Sequence, residues 1–186
     1  QLLFVVSFLF GVGSTLSFAR IPEPPAPPGR RAAGDLRRIP GMLARHPGFA
    51  WLVGSGFLWR LALGLAGPFF NVYLIEGLGG SAANVGTSAG IYAATALVGQ
   101  LVFGRLLDRQ GNRRLFVLAG LFVPVLPLLW FFVHRPEHAY AINALSGFAW
   151  AGYNLAAYNL LLEGAPIEDR ESGLALYNTV VALGSV

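Results

Sequence analysis

Arg60 is the only ionisable residue that lies deep inside a long apolar stretch of this sequence. It falls about eleven residues into the run Phe49–Ile75. A charged side chain at the centre of a membrane span costs about 3 kcal/mol on insertion scales, so it must face a partner or a water-filled cavity. At about 100° per residue, Gly64, Gly67 and Asn71 share its helix face. This face is cationic, small and polar, as the lining of a cavity would be.

Two kinds of role stay open for Arg60. It could bind the anionic group of a solute or pair with an acid that carries a proton. It could instead make a purely structural ion pair, or extend its side chain toward the membrane surface. The complete apolar stretches of this sequence contain no Asp or Glu in their interiors. A counter-charge for Arg60 must therefore come from outside them.

A second polar face lies on the apolar stretch Ala139–Leu162. Asn143, Gly147, Trp150 and Asn154 recur there at helical spacing. Trp150 and Asn154 fall near the middle of the stretch, the depth at which transporters bind their substrates. Amides and an aromatic ring at that depth could bind a drug-like or sugar-like molecule. The alternative is hydrogen bonding between helices, which contributes about 0.6 kcal/mol per contact.

The densest cluster of charge is the connector Gly104–Arg114, which reads GRLLDRQGNRR and lies between two apolar stretches. A glycine at its start permits close approach of a neighbouring helix, and the glycine at position 111 allows a turn with positive φ. Its aspartate can accept hydrogen bonds from the N-terminus of a facing helix, where the macrodipole favours negative charge. Its arginines can pair with that aspartate or with lipid phosphates. The residues that define the connector are Gly104, Asp108, Arg109, Gly111, Arg113 and Arg114.

The sequence contains no convincing catalytic or metal-binding set. His134-Arg-Pro-Glu-His138 matches the His-x-x-Glu-His pattern of some zinc peptidases. However, Pro136 interrupts a short turn where the two histidines would need one continuous helix to share a metal. Cysteine and lysine are absent, which excludes thiolate metal sites and the lysine-containing phosphate loop of ATPases. No Ser-His-Asp set is discernible, so we expect neither an enzyme nor a cofactor.

Composition indicates a protein whose solvent is lipid. Hydrophobic residues make up 55% of the chain and charged residues 12%, against roughly 25% charged residues in a soluble domain. We therefore predict an all-α integral membrane fold. Small residues at Gly86-x-x-x-Gly90 and at nearby alanines predict close helix packing. The predicted elements are the end of a helix at residues 1–18, complete spans at 49–75, 85–104, 115–133 and 139–162, and the start of a span at 172–186.

Residues 19–48 form a linker rich in proline and arginine. Residues 20–29 cannot be helical because proline lacks the amide donor, so an extended tether is predicted there. Asp35–Arg45 could form a short helix with its apolar side chains, Met42 among them, toward lipid. A solvated basic linker is the alternative.

The arginines predict the orientation of the chain in the membrane. Residues 19–48 hold six of them, residues 105–114 four and residues 163–171 one, whereas the opposite side has only Arg135. Basic loops stay on the cytoplasmic side. We therefore predict a multi-pass protein of the cell membrane with these three loops in the cytoplasm. The lipid bilayer is then the partner of the basic residues, and no nucleic acid is expected.

Gly-x-Leu-x-Asp-Arg-x-Gly-x-Arg-Arg is the connector pattern of the major facilitator superfamily, and residues 104–114 are similar to it at every fixed position. In that family the pattern occurs between helices 2 and 3 and, more weakly, between helices 8 and 9. One span, a basic linker and two further spans precede residues 104–114, which resembles helix 6, the central loop and helices 7 and 8. The resemblance implies the end of helix 6, helices 7 to 10 and the start of helix 11. It also implies a missing amino-terminal half.

The same resemblance implies secondary active transport of a small solute by alternating access. The connector residues would form a gate in which Asp108 meets helix 5 of the missing half; simple orientation by a basic loop is the alternative. An aromatic cavity with few charges favours proton-coupled efflux of an amphipathic compound. Uptake of a sugar or an organic anion stays open, as does a non-transporting membrane scaffold or sensor on the same fold. The candidate residues of the substrate path are Arg60, Asn71, Asn143, Trp150 and Asn154.

Overall fold

The computed structural model describes residues 2–18, 20, 39–167 and 170–184, and every regular element in them is helical. The predicted all-α class is therefore confirmed. The chain divides into two units, residues 1–33 and 34–186. Helix α1 (Leu2–Phe18) belongs to the first unit. The second unit contains α2 (Ile39–Arg45), α3 (Pro47–Val72), a π-helical turn (Tyr73–Gly77), α4 (Ala82–Gln110), α5 (Asn112–Phe122), α6 (Val125–Leu129), a 3-10 turn (Trp130–Phe132), α7 (His138–Gly164) and α8 (Arg170–Leu183).

Among the described residues, three helical stretches are long and apolar enough to cross a membrane. They are Pro47–Gly77, Ala82–Gln110 and Asn112–Phe132. Helix α7 has the necessary length, 27 residues, but is not among them. Its hydropathy is lower because it contains many small and polar side chains. Many of its residues are buried against other helices, where small side chains permit close packing. The span at residues 139–162 therefore stays a prediction.

Helix α4 extends beyond its predicted end. Ser81 and Asn84 cap its start reciprocally, since the Ser81 amide donates to Asn84 Oδ1 at 2.8 Å and the Asn84 amide donates to Ser81 Oγ at 3.4 Å. At the other end the helix continues through Gln110, and Gly111 alone, with φ +82°, separates it from α5. Residues 105–110 were predicted as a loop, and that prediction is wrong. Leucine, arginine and glutamine are good helix formers, and nothing before Gly111 ends the helix.

The predicted span at residues 115–133 is broken in the structure. Helix α5 ends at Phe122, and Val125–Leu129 forms the separate short helix α6. Pro127 has no amide to donate to the carbonyl of Val123. That carbonyl accepts instead from the Leu126 amide at 3.1 Å, in a tighter turn.

Helix α2 packs against protein. It begins at Ile39, and residues 21–38, with the predicted proline tether, lie outside the described residues. Met42 is only 2% exposed and lies in a core cluster with Phe49, Val53 and Leu161. The predicted placement of Met42 toward lipid is therefore wrong. A hydrophobic side chain at this end of the bundle has protein partners on α3 and α7.

Glycines on α4 and α7 bring these two helices close together, and their contact is the most extensive in the second unit. A Cβ added at Gly99 would lie 2.8 Å from Ala151 Cβ, and one at Gly152 would lie 2.9 Å from the ring of Phe103. A Cβ at Gly147 would collide with the Tyr92 carbonyl oxygen.

The packing predicted at Gly86 and Gly90 is not found among the described residues. Nothing there lies within 4 Å of a Cβ added at either position, and both glycines are exposed. Helix periodicity locates a stripe of small residues, but it does not show which stripe has a neighbouring helix.

Candidate functional site

A cavity of about 350 Å³ lies between α3, α6 and α7, and Tyr92 of α4 also lines it. We call it the main cavity. Four polar side chains reach its wall, namely Asn71, Tyr92, Asn143 and Ser146. No Asp, Glu, Arg or His is among the described residues that line it. The wall is therefore apolar and aromatic, with a few neutral hydrogen-bonding groups.

The four polar groups are largely free to bind a solute. The Asn143 amide nitrogen donates to the Ala139 carbonyl at 2.9 Å, which leaves Asn143 Oδ1 as an acceptor. The polar side-chain atoms of Asn71, Tyr92 and Ser146 make no hydrogen bond to another described residue. The main cavity thus offers both donors and acceptors without an ionised group.

At one end of the main cavity, the ring of Tyr153 packs against two tryptophans of the cavity wall. This ring stacks on that of Trp59, with centroids 4.8 Å apart, and meets Trp150 edge-on at 5.5 Å. The indoles of Trp59 and Trp150 lie 6.1 Å apart and both line the cavity. The Trp59 indole nitrogen is buried and has no hydrogen-bond partner among the described residues, although buried donors are normally paired. These contacts fix both rings before any solute arrives.

A second aromatic group lines the opposite end of the main cavity. Phe70 and Trp130 lie 5.0 Å apart, and Tyr73 packs edge-on against Trp130 at 6.4 Å. The Tyr73 hydroxyl donates to the Val133 carbonyl at 3.3 Å, which ties the end of α3 to the segment before α7. The main cavity is therefore bounded by aromatic rings at both ends.

Three of the five predicted path residues meet in the main cavity, and two do not. Asn71, Asn143 and Trp150 line it together. Arg60 and Asn154 are absent from its wall. Asn71 was predicted on one helix face and Asn143 and Trp150 on a second, and the structure brings the three together; their role in binding a solute stays a prediction.

Arg60 lies beside α8 instead. A Cβ added at Gly184, directly after α8, would be 3.3 Å from Arg60 Cβ. The expected shared cavity face of Arg60 and Asn71 is not found, because Asn71 lines the main cavity and Arg60 does not.

Asn154 lines a separate cavity of about 320 Å³ between α7 and α8, which we call the α7–α8 cavity. Tyr158, Tyr177 and Asn178 are its other polar lining residues. Asn154 is one turn beyond Trp150 on α7, past the ring of Tyr153. The two residues predicted as one site therefore belong to different cavities.

Asp108 projects from the last turns of α4 with no partner in this part of the protein. It is exposed and makes no hydrogen bond or ion pair with any described residue. The suggested pairing of Asp108 with the connector arginines is thus not found among the described residues. Nothing lies within 4 Å of a Cβ added at Gly104, and the predicted positive φ at Gly111 is present.

Asn112, which sequence reasoning missed, joins the connector to the end of α7. Its amide nitrogen donates to the Glu163 carboxylate, and its Oδ1 accepts from the Asn159 amide at 3.1 Å. Arg113, Arg114 and Glu163 line an open groove around these contacts. The only signal in the sequence was a polar residue directly after a turn glycine.

We expect Asn112→Ala to lower the free energy of unfolding by about 1–3 kcal/mol, because it removes two hydrogen bonds and one of them goes to a charged group. Urea denaturation of the purified protein in detergent, followed by circular dichroism, measures the change. Gln110→Ala is the matched control, since Gln110 is exposed and makes no hydrogen bond with another described residue. Equal effects of the two variants would show that the Asn112 contacts do not stabilise the fold.

Comparison with known proteins identifies the family. The family model described as Major Facilitator Superfamily matches residues 1–186. A stretch of 102 residues, 53% of this chain, is 29% identical to the inner membrane metabolite transport protein YgcS of Escherichia coli (strain K12), of whose length it covers 23%. No solved structure matches the chain. Because the family model spans the chain from end to end and the described helices suit a membrane domain, the chain belongs to the Major Facilitator Superfamily.

Proposed function

We propose that the protein containing this chain moves a small solute across the cell membrane by alternating access, through proton-coupled efflux. The observation that carries this proposal is the main cavity, whose lining combines three tryptophans with four neutral polar side chains. Its volume of about 350 Å³ falls within the ~300–1,000 Å³ of small-molecule sites. Family membership and the similarity to a metabolite transport protein support the transport class.

The arginine distribution supports a specific orientation. With residues 19–48, 105–114 and 163–171 in the cytoplasm, α3 runs outward and α7 runs inward. The main cavity then lies in the outer half of the membrane and the α7–α8 cavity in the inner half. In family numbering the described elements would be helices 7 to 10 with parts of helices 6 and 11. The amino-terminal half would close the main cavity from its open side.

The connector is proposed as a gate. Gly104, Asp108, Arg109, Gly111, Arg113 and Arg114 lie at the proposed cytoplasmic ends of α4 and α5. Asp108 is available to a helix N-terminus of the missing half, because it has no partner among the described residues. At this position the three arginines would lie at the depth of the lipid phosphates.

Arg60 is proposed to pair with the acid that carries the coupling proton. Every described Asp and Glu is exposed and lies near a helix end, and we propose that this acid belongs to the other half. Arg60 stands outside the main cavity but directly follows Trp59, whose ring lines the cavity and stacks on Tyr153. Protonation of the acid would free the charge of Arg60 and shift this aromatic cluster. Uptake of an organic anion bound by Arg60 is the second candidate.

Flux measurements test the proposal directly. The complete protein, reconstituted in vesicles with an imposed pH gradient, should move a neutral aromatic dye against its concentration gradient. Collapse of the pH gradient with a protonophore should stop this movement. Gradient-driven movement toward the proposed cytoplasmic side would favour uptake, and absence of any flux would favour a scaffold or sensor.

We expect Arg60→Gln to lower proton-driven flux at least about tenfold, which corresponds to ~1.4 kcal/mol of lost coupling. Exchange of labelled for unlabelled solute, which needs no proton movement, should continue. Arg135→Gln is the matched control, because Arg135 lies in the short loop before α7. Equal loss of exchange and driven flux would instead mean that Arg60 binds the solute.

A further inference from the structure

We infer that the main cavity selects an uncharged aromatic solute and discriminates against both its anionic and its cationic analogues. This inference rests on the proposed function, because it concerns the solute that the transporter carries. It follows from which side chains line the cavity, from what holds them, and from where the nearest fixed charge lies.

The lining supplies no counter-charge for an ionised solute. Among the described lining residues the hydrogen-bonding side chains are two amides, two hydroxyls and three indoles, and none is ionised. An ion that leaves water for such a site loses several kcal/mol of hydration unless an opposite charge meets it. A neutral solute loses only the hydration of its hydrogen-bonding groups, and Asn71, Asn143 and Ser146 can replace those bonds.

The aromatic lining favours a cation, but by less than the hydration that the cation loses. Cation–π contacts with tryptophan contribute about 2 kcal/mol when desolvated, whereas the loss of hydration costs several kcal/mol. No anionic side chain is among the described lining residues to make up the difference.

An anion has no cationic partner among the described lining residues. Arg60 is absent from them, so its guanidinium does not directly contact a solute in the cavity. Both signs of charge are thus disfavoured, while the fixed faces of Trp59 and Trp150 remain available to a flat neutral ring.

Matched probes that differ only in charge test the inference. Phenylacetamide, phenylacetate and phenethylamine share one ring size, and their naphthyl counterparts provide a second. Titration calorimetry on the complete protein in detergent measures the dissociation constant of each. We expect the amide of at least one series to bind about tenfold or more tightly than both charged members, a difference of ~1.4 kcal/mol.

Two substitutions test whether the probes bind in the main cavity. Trp150→Ala should weaken amide binding at least about tenfold, since it removes one of the two ring faces. Trp51→Ala is the matched control, because Trp51 is 80% exposed on α3 and does not line the main cavity. Tighter binding of an acetate that depends on Arg60, tighter binding of an amine, or binding of no probe at all would each overturn the inference.

Flux measurements on the same probes distinguish a failure of this inference from a failure of the proposed function. If the amide binds with the expected dependence on Trp150 but is not moved across vesicles, the charge selectivity stands and transport is refuted. If all three charge forms are carried at equal rates and bind equally, transport stands and the selectivity is refuted.

Discussion

Gly147→Ala is expected to destabilise the protein strongly, by about 1–3 kcal/mol or more, as overpacking of a tight core does. The added methyl group would lie under 3.0 Å from the Tyr92 carbonyl oxygen and from Thr95 Oγ1 on α4. The first of these atoms belongs to the backbone, so relief requires one helix to move. Since α4 and α7 share the largest contact of the second unit, their separation should disturb the whole bundle.

Gly90→Ala provides the matched control for this substitution. Both changes replace a helical glycine by alanine, which by itself favours the helix by about 1 kcal/mol. Nothing described lies within 4 Å of a Cβ at Gly90. Thermal unfolding of the two variants in the same detergent, followed by circular dichroism, should show a lower Tm for Gly147→Ala only. A Tm for Gly147→Ala at or above that of the unchanged protein would contradict the close packing.

Asp108→Asn is expected to lower transport by the complete protein at least about tenfold while leaving its fold intact. A negative charge near the C-terminal end of a helix is disfavoured by the macrodipole, typically by about 0.3–1 kcal/mol. Among the described residues Asp108 has no hydrogen bond or ion pair to offset that cost. Removal of its charge should therefore not destabilise the described helices. A loss of transport would indicate that Asp108 makes a contact with another part of the complete protein.

Parallel measurements of flux and Tm distinguish gating from stability. Glu76→Gln is the control, since Glu76 is also an exposed acid near the end of a helical stretch. The expected pattern is unchanged Tm for both variants and slow flux for Asp108→Asn alone. Unchanged flux in Asp108→Asn would rule out the gating role and leave the connector with orientation only.

Periodicity and local chemistry predicted the features that depend on few residues. Gly111 adopts positive φ because a one-residue turn between two helices needs a conformation that a side chain disfavours. Asn71, Asn143 and Trp150 meet in one cavity because each lies on the polar face of its own helix. Such features follow from residue types and from helix geometry, and both can be read from the sequence.

Features that depend on neighbouring helices were not predictable in this way. Arg60 and Asn71 share a helix face, but Asn71 lines the main cavity and Arg60 does not. Asn154 lines the α7–α8 cavity with residues of α8 and not the main cavity. A sequence gives the direction of a side chain around its own helix. It does not give the element that stands in that direction.

The single-residue turn at Gly111 has a mechanical consequence. A connection of one residue has no spare length, so α5 cannot slide along α4, and the two helices can only tilt about their shared end. Helix α4 has 29 residues, which corresponds to a lever of about 44 Å at ~1.5 Å per residue. A tilt of only about 5° at Gly111 would move the far end of such a lever by roughly 4 Å, two to three residue rises of a helix. A small rearrangement at one membrane surface is thereby converted into a displacement of atomic size at the other.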